Sequence, residues 1–383
     1  MPDLAHYDAA NIDGIPDRRY RNDPGRHCVR FFARVVSQGV ETFVDNAVGT
    51  TMEVVVLDDL CIPIVVNDGQ CDDCYFVSPH AHYVRYAREE IRKTMPLGLV
   101  TAGFMGVLTA LGTLGRVTGF NRHVSVNNWL FSTNPPLSLT PPQARALVAH
   151  LERRFPSHAI VFRTVSTWDK PTARSLEDAG CVLLPNRDVH LWDPECLAVA
   201  TRGTRKRIRA DRRFLAKTYR RRGVSRAEDF QTAQRLYRLL YCDKHSDRNA
   251  RFTAAFFEAV ASAGVCELEF FMRGEEPLAF AMGFEGPRFR YALFVGYDPA
   301  RDPRTHRQYR SVVAAFIDAS IANARPLFLS TGVASFKKAR GSVVVYEYEA
   351  VAVGHLSRWR RGPWRVVKAI YDRIMDALDM DLI

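Results

Sequence analysis

Three side chains of this sequence have the chemistry to move a proton during a group transfer. Tyr297 and Asp298 stand together at the end of the apolar, aromatic run Phe289–Tyr297, and His245 follows Asp243 in a polar break just before Ser246. A tyrosine can protonate a leaving thiolate, an aspartate can orient or deprotonate an amine, and a histidine suits a base near neutral pH. Further on, His306, Arg307 and Arg310 belong to a cationic segment that opens a helical pattern. Free N–H groups, the positive helix end and guanidinium forks together suit a phosphate. Lys337, Lys338 and Arg340 can meet a second anionic group. A dense polar cluster of Asn127, Asn128, Ser132, Thr133 and Asn134 closes an earlier strand and can hold an acceptor, as can Ser330 at the end of a later one. Plainer readings stand beside these. Asp298 can cap the turn before Pro299, His245 can be a surface-loop residue, and the polar cluster can be turn chemistry before Pro135.

Such residues need elements to position them. Phe289–Tyr297 reads as a buried strand, and Ser311–Ala324 has Val312, Val313, Phe316, Ile317 and Ile321 at helical spacing. Pro326–Ser330 reads as the next strand. Strand, basic turn, helix and strand therefore follow one another, an order that can hold a phosphopantetheine-type donor beside a splayed sheet. Acyl transfer to an amine also needs hydrogen-bond donors for the developing oxyanion, and backbone N–H groups near Val295 and Gly296 can supply one.

Elsewhere the pattern predicts a meander of Met52–Leu57, Cys61–Val66 and Cys74–Val77, then a helix from Val84 to Lys93. His123–Ser132 reads as a strand and Pro141–Phe155 as a helix capped by Thr140. Ala159–Arg163, Cys181–Leu184 and Val189–Trp192 read as strands, with a helix from Pro171 to Ala179. Helices at Ala227–Tyr241 and Thr253–Ala263 precede strands at Glu267–Met272, Leu278–Gly283 and Tyr346–Val353. The second series repeats the order of the first, so a duplicated mixed α/β unit is the economical reading. The expected divisions are an N-terminal extension at 1–35, a first lobe at 36–200, a basic linker helix at 201–225, a second lobe at 226–356 and an amphipathic C-terminal helix at 357–383.

With 383 residues, 47% of them hydrophobic, the chain can bury two cores. A formal charge of +11 points to an anionic partner: a nucleotide cofactor, an acidic carrier protein, RNA or a lipid surface. Arg202–Arg222 holds eleven basic residues and one acid, Asp211. Its few aromatics, Phe214 and Tyr219, disfavour RNA. Near the C-terminus Trp359 and Trp364 lie among Arg360, Arg361, Arg365 and Lys368, which suits a membrane interface, an acidic helical partner or packing on the second lobe. The scattered cysteines suit free thiols in a reducing cytoplasm. Cys71 and Cys74, with His80 and His82 nearby, lack the spacing of a zinc site, so no metal is expected. Leu97–Gly115 carries no charge. It is expected as a buried helix or one lining an apolar tunnel, with a membrane span as the alternative. The opening residues lack a secretory pattern, which predicts a cytoplasmic protein, with peripheral contact at the inner membrane face as an alternative.

The second lobe resembles the GNAT acyltransferase superfamily, and most of all its tandem-GNAT, BioF2-like and FemAB-like branch. The hairpin around Gly274, Val295-Gly-Tyr-Asp-Pro299, the helix from Arg310, and Leu329-Ser-Thr-Gly-Val-Ala-Ser-Phe-Lys-Lys338 with Arg340-Gly341 carry the resemblance. It implies two GNAT-like lobes in tandem, each a mostly antiparallel, splayed sheet flanked by helices. It also implies an N-acyltransferase with no resident cofactor, moving an acyl group from acyl-CoA or an acyl carrier protein to a primary amine of a small molecule or peptide. The uncharged segment and the basic surface favour a medium or long chain. The glycine-bearing phosphate loop of the family is replaced here by Thr305–Ser311, which has no glycine. An acyl carrier protein and, as the alternative, an aminoacyl-tRNA therefore stand beside acyl-CoA as donors. A non-catalytic binding protein of the same fold is the third reading.

Overall fold

The structure, a computed structural model, describes residues 2–25, 27–94, 96, 98–301 and 307–377. The first half supplies strands β1 (Leu4–Tyr7), β2 (Thr50–Leu57), β3 (Leu60–Asp68), β4 (Arg122–Val126), β5 (Ala159–Ser166) and β6 (Val182–Trp192). The second half supplies β7 (Arg220–Gly223), β8 (Glu267–Arg273), β9 (Glu276–Glu285), β10 (Arg290–Tyr297), β11 (Leu327–Phe328) and β12 (Val343–Ala352). The helices of the first half are α1 (Cys28–Gln38), α2 (Ala87–Thr94), α3 (Leu99–Thr118), α4 (Pro141–Arg154), α5 (Lys170–Asp178) and α6 (Cys196–Val199). Those of the second are α7 (Arg202–Thr218), α8 (Glu228–Arg238), α9 (Ala254–Ser262), α10 (Arg307–Ala322), α11 (Ala334–Lys338) and α12 (Arg358–Ala377). Wide π-turns at Ala81–Tyr86 and Leu239–His245 lead into α2 and extend α8.

All twelve strands join one sheet in the order β1-β2-β3-β4-β5-β12-β6-β11-β10-β9-β8-β7. Read from either end, the order passes through equivalent strands of the two halves. Among the described residues, only β4–β5 and β10–β11 pair in parallel, each pair bridged by a helix, α4 or α10. The last strands change places: β12 pairs with β5, β6 pairs with β11, and the two run antiparallel to each other. The halves are therefore stitched by backbone hydrogen bonds. An apolar cluster continues the join, taking in Phe31 and Phe32 of α1, Phe131, Phe256 of α9 and Phe284 of β9.

Local chemistry explains the hairpins. Asp58 takes a left-handed φ of 52° between β2 and β3, and Gly274 one of 61° between β8 and β9. Thr140 and Gln143 form a capping box at α4, with Pro141 at its first position. The apolar stripe expected from Ser311 onward is present, but α10 begins at Arg307, so Arg307 and Arg310 lie in its first turn. Val312, Val313, Phe316 and Ile317 bury its inner face.

Several expectations need correction. Cys74–Val77 is a buried turn, because the Asn67 and Asn128 amides take the Val77 and Phe76 carbonyls that a ladder would need. The strand expected to run to Ser132 stops at Val126, where left-handed Asn127 and Leu130 turn the chain and bury Trp129 and Phe131. Cys181–Leu184 and Val189–Trp192 belong to one strand, β6, that runs through Pro185 and Arg187 beside β12. Leu97 lies outside the described residues; from Leu99 the uncharged segment forms α3, which buries Leu108 and Leu111 but leaves its other side open instead of enclosed in a core or tunnel: Phe104, Val107 and Val117 are exposed, and nothing lies within 4 Å of a Cβ built at Gly103 or Gly106. Among the described residues, no helix is long and apolar enough to cross a membrane.

Candidate active site

β10 and β11 set the geometry. They pair at only two positions, Arg290 with Leu327 and Tyr291 with Phe328. Past Tyr291 the β11-facing edge of β10 has no strand beside it, and Leu293 bulges from the ladder with β9. After β11 the chain turns away through Ser330, Gly332 and Val333, all at left-handed φ of 50–80°. Such backbone strain in non-glycine residues persists only where surrounding contacts enforce it. In the first half β4 and β5 stay paired from His123–Ala159 to Val126–Phe162.

The divergence opens a cavity of about 380 Å³. One wall is Ala292, Leu293, Val295 and Tyr297 of β10, and the facing wall is Leu329 to Val333. Tyr241 and His245 come from the π-turn after α8, Tyr86 and Glu90 from the segment around α2, and Ser132, Arg187 and Lys337 are also in the lining. Six of the residues singled out from sequence therefore meet here: Ser132, His245, Val295, Tyr297, Ser330 and Lys337.

Lys337 enforces the strained wall. Its buried Nζ donates to the Ser330 carbonyl at 3.0 Å and the Thr331 carbonyl at 2.6 Å. Burial pushes its pKa down to about 7. His245 sits at the cavity mouth, and Lys93 Nζ holds its carbonyl at 2.6 Å. Partial burial and the ammonium groups of Lys244 and Lys93 push the imidazole pKa down, so the neutral, proton-accepting form prevails near pH 7. Burial pushes the Tyr241 hydroxyl up to about 12 against a backbone hydrogen bond from Val295, so it remains a proton donor.

Other candidates have different places. Asp298 accepts the Ala300 N–H at 2.9 Å and lies outside the cavity lining, as a turn cap would. Gly296 packs beneath Phe280, where a Cβ would fall 2.0 Å from the ring. Arg307 stacks near Phe214 of α7 at 5.9 Å. Arg310 is bonded to Asp211, which also holds Arg340 at 2.6 Å. The single acid of the basic run is thus a buried clamp joining α7, α10 and the end of α11. Lys338 is exposed. His306 lies outside the described residues. Asn127 donates to the Pro135 carbonyl and accepts from the Trp129 indole, and Asn128 serves Phe76, Ser125, Leu130 and Arg163. Both are scaffold, because they are fully buried and their amides are taken up by the groups of the surrounding turn. Asn134 accepts the Trp129 N–H and lines a separate small pocket beside Arg163. Cys71 and Cys74 are buried thiols, and no described group of three side chains could hold a metal ion.

Arg187 was missed from sequence. It donates to Glu347 at 2.7 Å, to the Ser132 carbonyl at 2.6 Å and to Thr133 at 2.8 Å. Glu349, on the same face of β12 two residues on, accepts from Tyr83 at 2.6 Å. The alternation Tyr346-Glu-Tyr-Glu349 was the available signal: acids at every second position of a strand, facing a polar interior.

Residues 202–324 match the family model described as acetyltransferase (GNAT) domain. The second half of this chain carries a GNAT domain. In that domain α7 is the opening helix, packed on α10 through Ile208, Asp211 and Leu215, and β10 carries the splay. A GNAT domain marks the chain as a transferase. Several solved structures are similar to this chain. A tandem GNAT protein from the clavulanic acid biosynthesis pathway is 11% identical over 91% of this chain and 98% of its own, with a TM-score of 0.42. FemX is 12% identical over 57% and 78%, with a TM-score of 0.43. The C-terminal domain of a putative lysylphosphatidylglycerol synthetase from Agrobacterium fabrum is 12% identical over 61% and 78%, with a TM-score of 0.42. No curated protein matches the chain.

Proposed function

We propose that the protein is an N-acyltransferase that moves an acyl group from a thioester to a primary amine. The observation that carries this is the parting of β10 from β11, which exposes one backbone edge of the GNAT domain to a cavity lined by proton-transfer groups. The thioester carbonyl lies along β10, where a backbone N–H on its unpaired edge near Val295 stabilises the oxyanion as the amine attacks. His245 takes the amine proton. The tetrahedral adduct then collapses, breaking the C–S bond, and Tyr297 protonates the departing thiolate. The amide and the free thiol leave, and water restores the proton balance between His245 and Tyr297.

The donor is a medium- or long-chain acyl-CoA or acyl carrier protein. Leu240, Leu293, Val313, Phe316 and Leu329 line the cavity with hydrocarbon. Arg307 at the start of α10 and the exposed Arg202, Lys206, Arg209, Arg213 and Lys217 of α7 form a cationic approach for phosphate or an acidic carrier. The same row favours a second reading, in which the donor is an aminoacyl-tRNA.

Thiol release is measured with donors of two to sixteen carbons, on CoA and on carrier protein, against a mixed amine pool. Release that depends on both donor and amine is expected. Absence of both release and binding for every thioester, with activity restored by charged tRNA and abolished by RNase, would transfer the assignment to the second reading.

A further inference from the structure

The outer face of α3 is anomalous for a surface helix in water. Among the described residues of α3 the sole charge is Arg116, near its C-terminal end. Ala102, Gly103, Gly106, Ala110 and Thr113 are exposed, and Val117 is 71% exposed. Surface helices ordinarily carry charged residues opposite their apolar stripe. Here the solvent face is uncharged, and the helix adds Phe104 and Val107, 38% and 46% exposed, to an open groove.

That groove, of about 200 Å³, runs between α2, α3 and α12. Tyr83, Ile91, Phe104, Leu111, Val367 and Ile370 are among its lining residues, none of them charged. α12 frames one side. It buries Trp364 against Phe120, ring centroids 4.7 Å apart, and leaves Trp359 63% exposed. Arg358, Arg365 and Arg373 are exposed along it, and its one acid before residue 374, Asp372, is paired with Lys368 at 2.8 Å. The result is an apolar face with a cationic rim and an exposed tryptophan.

We propose that this α3–α12 face docks on a bilayer containing anionic phospholipid. Apolar side chains and Trp359 enter the interfacial region while the arginines meet headgroup phosphates. Charge complementarity selects this occupant over a second copy of the chain, because a two-fold contact would set one cationic rim against another. No described helix can span a membrane, so the contact is peripheral. Segment 81–94 is shared between groove and active site: Tyr83, Ala87 and Ile91 face the groove, while Tyr86 and Glu90 face the catalytic cavity. Docking therefore places the cavity within one helix diameter of the lipid surface. The inference does not depend on the acyl-transfer reading.

The test is co-sedimentation of the full chain with phosphatidylcholine vesicles, with and without about 30% phosphatidylglycerol. Binding to the anionic vesicles is expected, weakened by salt and at least about tenfold weaker on neutral ones. Val107→Glu with Val117→Glu, and separately Arg358→Glu with Arg365→Glu, should each lower binding by about tenfold or more. All four positions are exposed, so unchanged thermal melts and thioester binding are expected of both variants. Equal sedimentation of wild type and both variants, or no binding to anionic vesicles, would overturn the proposal. A concentration-dependent dimer abolished by the valine substitutions, without vesicle binding, would assign the face to a second copy instead.

Discussion

Replacing Asp211 by asparagine tests how the donor side of the active site is held together. Asp211 is 3% exposed and Arg340 is 7% exposed, with Arg340 Nε at 2.6 Å from one carboxylate oxygen and Arg310 on the other. Arg340 also donates to the Phe336 carbonyl at 2.8 Å, so the clamp fixes α11, which carries Lys337 and hence the Ser330–Val333 wall. Asparagine keeps the shape but leaves two guanidinium groups without their counter-charge. Removing one partner of a buried ion pair costs about 3–5 kcal/mol. Arg310 retains a solvent path and asparagine still accepts one hydrogen bond, so about 3 kcal/mol is expected here. The more exposed pair Arg212–Asp318 on the same two helices serves as control, and Asp318→Asn should cost about 0.5 kcal/mol. Urea unfolding, with the slope required to stay constant, measures both. Asp211→Leu with Arg310→Met and Arg340→Met should recover most of the loss, because it removes the charges together with their counter-charge. A loss below about 1 kcal/mol for Asp211→Asn, or no recovery in the triple variant, would refute the clamp.

Lys337 has a folded pKa of about 7 against 10.5 unperturbed, so below pH 7 the ammonium is present in both states and the fold bears its burial. Between those values the unfolded chain binds more protons, and this group makes stability rise with pH by up to about 1.4 kcal/mol per unit. The two carbonyl acceptors temper the slope, and Lys337→Met should abolish it in unfolding measured from pH 6.5 to 9. Because the His245 pKa is lowered, the acid limb of the rate profile should lie below the ordinary histidine value of 6.5 and disappear in His245→Gln. Tyr297→Phe should lower kcat by about 10–100-fold with donor affinity retained, whereas equal loss of both would make Tyr297 a packing residue. Gly296→Ala places a Cβ 2.0 Å from the Phe280 ring and should cost about 1–3 kcal/mol. Gly106→Leu meets open space, so its thermal melt should match wild type within about 0.5 kcal/mol and its accepted chain length should not change.

What the sequence determined by itself is local. The aromatic run of β10, the apolar stripe of α10, the turns at Asp58 and Gly274 and the Thr140 cap each rest on residues a few positions apart, so their patterns were legible. So was the doubled element order, and with it the fold class. The cavity was legible in part, since His245, Tyr297 and Ser330 lie at element ends, where chains bring polar groups to a cleft. The tertiary structure alone decided the rest. The exchange of β6 and β12 sets Arg187 beside Glu347, 160 positions away, and no local pattern encodes which strand edge will be its neighbour. Asn127 and Asn128 have the composition of a binding cluster, yet buried backbone carbonyls claim them, because a buried polar group left unpaired costs more than a turn. α3 has the composition of a core helix, but it buries only one side, through Leu108 and Leu111, and remains on the surface with its other uncharged side outward. Hydrophobic periodicity reports which residues favour burial; the order in which distant strands pair determines which of them have a surface to be buried against.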